Sequence, residues 1–143
     1  MKGGQNHAWA DIDQDGDQDL LVGGRDQGGG RPNFLFRNDV GQDNRWLKVR
    51  LIGDGSSVNR DGVGTRVTLI SGDRQIMRER RTSRGTYSSA DDPALAFGLG
   101  DLPCDCSLRI QWPDGTEAEI PGTKIGDNTD LSIAYPETLT INN

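Results

Sequence analysis

Short apolar runs separated by turns dominate the pattern of hydrophobic and polar positions along this chain. From residue 44 onward, apolar and polar residues alternate with a period of two, which is the repeat of a β-strand that buries one face. The alternating sets are Leu47, Val49 and Leu51; Val67 and Leu69; and Leu108, Ile110 and Trp112. Each set predicts a strand with apolar side chains directed inward and polar ones toward water.

Turn sequences separate these runs. They are Gly53-Asp54-Gly55, Arg60-Asp61-Gly62, Ser71-Gly72-Asp73 and Pro113-Asp114-Gly115, and all are rich in residues that favour tight turns. The last predicts a hairpin from Trp112 into Ala118 and Ile120. With further runs at 95–99 and 131–135, residues 44–143 are expected to form about seven strands, the range of a small antiparallel β-sandwich or barrel-like domain. No segment keeps a 3.6-residue apolar period, so no helix longer than about two turns is expected.

Residues 1–43 have a different organisation. They hold an acidic loop and two apolar runs, Leu20-Leu21-Val22 and Phe34-Leu35-Phe36, which predict two or three short strands. So small a sheet is marginally stable in water by itself. We therefore expect two domains, a partial hairpin-like repeat over 1–43 and a β-domain over 44–143.

Composition narrows the classes of function. Leu, Ile, Val and Phe make up 21% of the 143 residues, just above the ~20% level below which disorder is expected. Together with the three tryptophans and the regular apolar runs, this share indicates a folded chain with a thin core. The formal net charge of −6 argues against nucleic-acid binding, which needs a surplus of Lys and Arg. No apolar run approaches the ~18 residues that span a bilayer, and the first residues lack the apolar segment of a secretion signal. We expect neither nucleic-acid binding nor membrane insertion.

The acidic loop is the strongest candidate for a site. Aspartates occupy every second position over nine residues, at Asp11, Asp13, Asp15, Asp17 and Asp19. Their mutual repulsion favours a bound hard cation, and the glycine at the sixth position permits a sharp turn around it. The pattern predicts a Ca²⁺ site with side-chain ligands from Asp11, Asp13, Asp15 and Asp19 and the backbone carbonyl of Asp17. A solvated acidic turn is the alternative.

The same loop differs from an EF-hand. The EF-hand requires a glutamate at the twelfth loop position, which is Val22 in this chain. The residues that follow the loop form an apolar run typical of a strand. A calcium loop that joins two β-strands is therefore predicted.

A basic segment is the second candidate. Five arginines lie within Arg74–Arg84, followed by a polar loop over Gly85–Asp92. Guanidinium groups suit sulfate, phosphate and carboxylate groups, so the segment predicts a carbohydrate- or anion-binding site. Its candidate residues are Arg78, Arg80, Arg81, Arg84 and Tyr87. The alternative is a solvated strand face whose arginines pair with nearby carboxylates.

Catalysis is not expected. The chain contains one histidine, His7, so neither a Ser-His-Asp nor a Cys-His arrangement has a suitable base. Cys104 and Cys106 are one residue apart, a spacing unsuited to an ordinary disulfide. They are interpreted as partly buried thiols at the start of a strand, with a strained local disulfide or a metal pair as alternatives.

Two family resemblances cover nearly the whole chain. Residues 9–22 and 32–38 resemble one FG-GAP or VCBS repeat, the calcium-binding blade of integrin-like β-propellers. The rest resembles the ASPIC/UnbV domain that ends cartilage-acidic-protein-like chains. Its motifs, in order, are Asn59–Gly64, Gly85–Ser89, Phe97–Gly100 and Trp112–Gly115.

These resemblances imply a location and a role. They imply a secreted or cell-surface protein with a propeller followed by a β-rich domain, whose usual role is adhesion or recognition of an extracellular protein or glycan. They supply no catalytic residues. Because a closed propeller needs several blades, the single repeat implies part of a longer, propeller-containing protein. The expected function is a non-enzymatic, extracellular calcium-binding module, with a carbohydrate- or anion-binding module as the alternative.

Overall fold

The protein is all-β. A computed structural model describes residues 4–24, 33–40, 43–83, 89–102 and 106–142. Within these ranges there are eleven strands and one 3-10 helix of three residues, Gly122–Lys124. The predicted fold class is confirmed, and the helix is shorter than the two turns allowed by the sequence pattern.

The strands fall into two compact units. The first comprises Met1–Gln42 and Thr82–Asp92, and the second Asp43–Arg81 and Pro93–Asn143. The strands are β1 (Gly4–Ala10), β2 (Asp19–Gly24), β3 (Phe34–Phe36), β4 (Trp46–Ile52), β5 (Arg66–Ser71), β6 (Arg74–Glu79), β7 (Leu95–Gly98), β8 (Ser107–Gln111), β9 (Glu117–Ile120), β10 (Thr129–Ala134) and β11 (Thr138–Asn142).

The first unit contains a three-stranded antiparallel sheet in the order β1-β2-β3. Leu20 pairs with both Trp9 and Phe36, and Leu21 pairs with Leu35. Because neighbouring residues of a strand point to opposite faces, this register places apolar side chains on both faces of the sheet. Leu21 is 45% exposed and Phe36 43% exposed, so neither face is fully covered.

The segment after β6 returns to β1 within the first unit. The backbone N–H of Trp9 donates to the carboxylate of Asp91 (3.0 Å), and the N–H of Asp92 donates to the carbonyl of Trp9 (2.9 Å). Residues 82–92 are thus grouped with the first 42 residues, although they follow the first strands of the second unit in sequence.

The second unit is a β-sandwich of two four-stranded sheets. One has the order β11-β10-β4-β7 and the other β6-β5-β8-β9. The expectation of a purely antiparallel arrangement is corrected at one place, since β4 and β10 are parallel, with Val49 opposite Leu131. Both sheets formed by the described strands are open, so this unit is a sandwich and not a closed barrel. Parallel pairing requires a long connection, which here passes through the strands of the other sheet.

The core lies between the two sheets of the second unit. Its members are 7% exposed or less: Leu47, Val49 and Leu51 of β4, Val67 and Leu69 of β5, Leu108 and Ile110 of β8, and Leu131 and Ile133 of β10. The members in β4, β5 and β8 occupy the alternating positions of the sequence pattern, and those in β10 lie in the predicted run at 131–135. Trp112 also belongs to this core. It packs edge-to-face on Tyr135, with their ring centres 5.5 Å apart. The predicted hairpin is confirmed by the antiparallel pairing of β8 with β9.

The connection from β4 to β5 is tightly folded. The N–H of Gly53 donates to the carbonyl of Arg60 (3.0 Å). Inside this loop, one oxygen of Asp54 accepts the N–H groups of Ser56, Ser57 and Val58 at 2.9–3.0 Å. The carboxylate of Asp54 therefore stabilises the loop by accepting backbone N–H groups in place of backbone carbonyls.

Candidate functional site

The acidic loop connects β1 to β2, which pair from Ala10 and Asp19 onward. Two residues in the loop have left-handed backbone conformations, Gln14 with φ 64° and Gly16 with φ 99°. Glycine adopts such angles without steric penalty. The backbone therefore turns sharply at the position where the sequence predicted a wrapped loop.

Three of the five predicted ligands converge. One oxygen atom from each of Asp11, Asp13 and Asp15 lies within 4.8 Å of the other two. Ca²⁺ binds oxygen at about 2.3–2.6 Å, so oxygens that share one ion lie no more than about 5 Å apart. The spacing of these three carboxylates therefore matches a single calcium ion.

Backbone donors hold two of these carboxylates in place. The N–H of Gly16 donates to Oδ2 of Asp11 (2.8 Å), and the N–H of Asp17 donates to Oδ1 of Asp15 (3.1 Å). Asp11 is 8% exposed, whereas Asp13 is exposed. The loop thus folds around its own acidic side chains with one side open to solvent.

Asp19 has a different environment from the converging three. It is 1% exposed, and its carboxylate accepts the backbone N–H groups of Ile12 (2.8 Å) and Asn38 (2.9 Å). It lies outside the group formed by Asp11, Asp13 and Asp15. Its side chain joins the start of the loop to the residues that follow β3, a role that the spacing of aspartates in the sequence did not reveal.

Asp17 carries the most unusual electrostatic environment in the loop. Both of its carboxylate oxygens are buried and have no hydrogen-bond partner among the residues that the structure describes. Burial raises the pKa of Asp17, and the neighbouring Asp15, Asp19, Asp13 and Asp11 raise it further. The aspartate pattern predicts only the backbone carbonyl of Asp17 as a ligand and does not reveal this buried carboxylate.

The residues of the loop fit Ca²⁺. All candidate donors are oxygens, which hard cations prefer, and the buried carboxylate of Asp17 is a polar group whose burial is unfavourable without a partner. The guanidinium of Arg37 lies near these carboxylates. Its Nε is 3.8 Å from an oxygen of Asp13 and 2.5 Å from an oxygen of Asp39. Its side chain is 62% exposed, so solvent screens its contribution.

The basic segment does not present its arginines as one group. Nε of Arg78 donates to the carbonyl of Ala96 (3.4 Å), and its guanidinium lies 5.9 Å from the ring centre of Phe97. Arg81 instead pairs with Glu79 (3.2 Å). Arg80 donates to the carbonyl of Arg81.

Glu79 receives a second arginine from β5. Nε of Arg66 lies 3.4 Å from its Oε2, and the hydrogen bonds from Arg81 and Arg66 hold the pKa of Glu79 below its usual value. Two other predicted residues, Arg84 and Tyr87, lie outside the described residues, as does the first half of the Gly85–Asp92 loop.

The cysteines and Trp46 are the remaining candidates from the sequence. Cys106 is buried immediately before β8, whereas Cys104 lies outside the described residues. Trp46 is half-buried, and the ammonium of Lys48 lies 5.0 Å from its ring centre, a cation–π contact. Across the described ranges, no helix has the length and apolar character needed to cross a bilayer.

The strands and the loop define a class of all-β protein that combines a two-sheet sandwich with a smaller sheet carrying an acidic turn. The chain matches the ASPIC and UnbV family over residues 55–139, more than half of its length, and it belongs to that family. No curated protein matches the chain. The family match does not extend to the acidic loop at residues 11–19.

Proposed function

We propose that the chain is a non-enzymatic, extracellular calcium-binding module with a structural role in adhesion or ligand recognition. The observation that carries this proposal is the convergence of Asp11, Asp13 and Asp15 beside the buried, unpartnered carboxylate of Asp17. Such a concentration of negative charge is unfavourable unless a cation compensates it.

Asp11, Asp13 and Asp15 would hold the ion. A bound Ca²⁺ would supply two positive charges to a loop that contains five carboxylates. The chain itself positions these ligands through the N–H groups of Gly16 and Asp17, while Asp19 ties the loop to the residues after β3. Binding of the calcium ion would thus fix the end of β1 and the start of β2.

The small sheet supports the proposal that residues 1–43 form part of an FG-GAP or VCBS-like repeat. Trp9 and Phe36 lie on one face and Leu21 and Leu35 on the other, and each is 40% or more exposed. In a propeller, each blade packs between two neighbours, an arrangement that would cover both faces. We therefore propose that the chain is part of a longer, propeller-containing protein of the cartilage-acidic-protein type.

An extracellular location is consistent with the open side of the loop. Calcium sites in extracellular modules have dissociation constants of about 10⁻⁴–10⁻³ M, and an exposed ligand such as Asp13 suits that weak range. The proposed partner is an extracellular protein or glycan. The absence of enzymatic activity is proposed because His7 is the one histidine in the sequence.

Thermal melts with Ca²⁺, Mg²⁺ or EGTA test the proposal. An ion that binds only the folded state stabilises it by about 2.7 kcal/mol at a hundredfold excess over Kd, which corresponds to a rise of several degrees at ~2–8 °C per kcal/mol. Mg²⁺ should act much more weakly because it requires strict octahedral geometry.

The variant D11N/D15N should lose the calcium response. D73N is the matched control, since Asp73 is an exposed turn residue of the second unit and its substitution should leave the response intact. If the melting temperature of the wild type is the same in saturating Ca²⁺ and in EGTA, the loop is a solvated acidic turn and not a calcium site.

A further inference from the structure

Three arginines from separate segments of the second unit line one cleft of about 250 Å³. They are Arg50, Arg60 and Arg80, and the same cleft is lined by Asp61 and Ser132. Three arginines and one aspartate give the lining residues a formal charge of +2, although the whole chain has a net charge of −6. The cleft is therefore a positive site on an acidic protein.

The backbone holds each arginine in position. Arg50 lies in β4 beside Ser132 of the parallel strand β10. The carbonyl of Arg60 accepts the N–H of Gly53 (3.0 Å). Arg80 donates its N–H to the carbonyl of Thr65 (2.9 Å), and its own carbonyl accepts an N–H at 2.9 Å. Because strands and fixed loops carry the side chains, little backbone ordering would accompany binding.

Two of the three guanidinium groups retain donor capacity. In the part of the chain that the structure describes, Arg60 forms no ion pair, and Arg80 makes a single side-chain hydrogen bond, to the carbonyl of Arg81. A guanidinium has five N–H donors. Arg50 is already engaged with Asp130 through Nε at 3.2 Å, so Arg60 and Arg80 are the main donors for a ligand in the cleft.

We propose that this cleft binds a tetrahedral oxyanion, the phosphate or sulfate group of a larger ligand. Arg60 and Arg80 together offer several N–H donors, and a phosphate or sulfate group presents more acceptor oxygens to them than a carboxylate does. The surplus of arginine over aspartate in the lining favours an anionic ligand. The volume lies below the ~300–1,000 Å³ of pockets that enclose a drug-sized ligand, so the cleft holds one anionic group.

The hydroxyl of Ser132 completes the donor set. It accepts a hydrogen bond from Nδ2 of Asn142 (2.9 Å), and its proton can be donated to an oxyanion. This site differs from the anion site expected from the sequence. It shares Arg80 with that set but takes Arg50 and Arg60 from the segments before β5, which are distant from Arg80 in sequence.

Calorimetric titration of the full chain at constant ionic strength tests the proposal. Inorganic phosphate and sulfate are the primary probes and acetate is the carboxylate comparison. R60Q/R80Q should weaken phosphate and sulfate binding ~10-fold or more, because each charge-assisted hydrogen bond contributes about a factor of ten. R74Q/R109Q is the control, since it removes the same charge from two exposed arginines that do not line the cleft.

The control should bind within about twofold of the wild type. Equal losses in the two double variants, or acetate binding as tight as that of phosphate, would overturn the proposal. R60Q alone provides the test if the circular dichroism spectrum shows that the double variant does not fold. Titrations with a sugar phosphate and a sulfated sugar distinguish a phosphate-bearing ligand from a sulfate-bearing one. The natural ligand class is the ester that binds the wild type more tightly than its inorganic ion does and loses that binding in R60Q/R80Q.

Discussion

The indole N–H of Trp112 donates a 2.9 Å hydrogen bond to the carbonyl of Pro136, which lies 24 residues further along the chain. Next to it, the hydroxyl of Tyr135 donates to the carboxylate of Asp114 (2.8 Å). Trp112 belongs to the β8–β9 turn and Pro136 to the turn between β10 and β11. These contacts therefore join the two sheets of the sandwich at one end.

Trp112→Phe should destabilise the second unit by about 1–3 kcal/mol. The substitution removes the hydrogen bond to Pro136 and part of the ring that packs on Tyr135. Trp112 is 3% exposed, so its lost contacts are not replaced by water. Urea denaturation followed by far-UV circular dichroism measures the change. Trp46→Phe is the control and should change stability by less than about 1 kcal/mol, because Trp46 is only half-buried. Equal losses in both variants would contradict this prediction.

Gly62→Ala should destabilise the protein more than Gly72→Ala. Both glycines have left-handed backbones, with φ 60° and φ 55°, so each alanine carries about 1–2 kcal/mol of backbone strain. A Cβ at Gly62 would also lie 2.7 Å from Cβ of Leu51, whereas a Cβ at Gly72 would meet nothing within 4 Å. Overpacking adds about 1–3 kcal/mol. Parallel urea titrations measure both variants, and equal unfolding free energies would contradict the steric argument.

The stability that Asp54 provides should depend on pH. Hydrogen bonds from the N–H of Val58 and from Ser56 hold the pKa of Asp54 far below its usual value. A carboxylate whose pKa is lower in the folded state stabilises the fold above its unfolded pKa of about 3.9, and this stabilisation is lost as the pH falls further. The difference in stability between wild type and D54N should therefore be largest near neutral pH and shrink below about pH 4.

Urea denaturation between neutral and acidic pH measures that difference. D73N is again the comparison, because Asp73 makes no side-chain hydrogen bond to the backbone in the part of the chain that the structure describes. If the difference between wild type and D54N stays constant across the range, the carboxylate charge of Asp54 does not hold the loop.

Asp17→Asn should raise the melting temperature in EGTA and diminish the response to Ca²⁺. In the absence of a cation, the buried carboxylate of Asp17 faces four other aspartates, and the amide removes that repulsion without changing the shape of the side chain. Differential scanning calorimetry in EGTA and in Ca²⁺ measures both effects. D73N should alter neither, and a lower midpoint for D17N in EGTA would contradict the prediction.

The sequence predicts the elements of the sandwich better than their arrangement. Alternation at Leu47, Val49 and Leu51 identifies β4 because burial of one face imposes a period of two. The parallel pairing of β4 with β10 is not encoded locally, because the same alternation suits either direction.

The same distinction holds at the sites. The sequence places five aspartates in one loop, and the FG-GAP or VCBS resemblance of that region stays a prediction. The hydrogen bond from Asn38 to Asp19 connects residues 19 apart. The arginine cleft likewise combines three separate segments. Such long-range contacts depend on the folded chain and cannot be identified from spacing.

The parallel pairing also sets an order of events during synthesis. Arg50 and Asp130 are in contact across 80 residues of chain, and closing a loop of that length has an entropic cost of ~4 kcal/mol. Strand β4 is synthesised early, whereas β10, which pairs with it, is synthesised late. A nascent chain released up to β9 would carry β4 with an uncovered hydrogen-bonding edge, and such edges are prone to aggregation. The contact order of this sheet therefore makes it the slow and vulnerable half of the sandwich during folding.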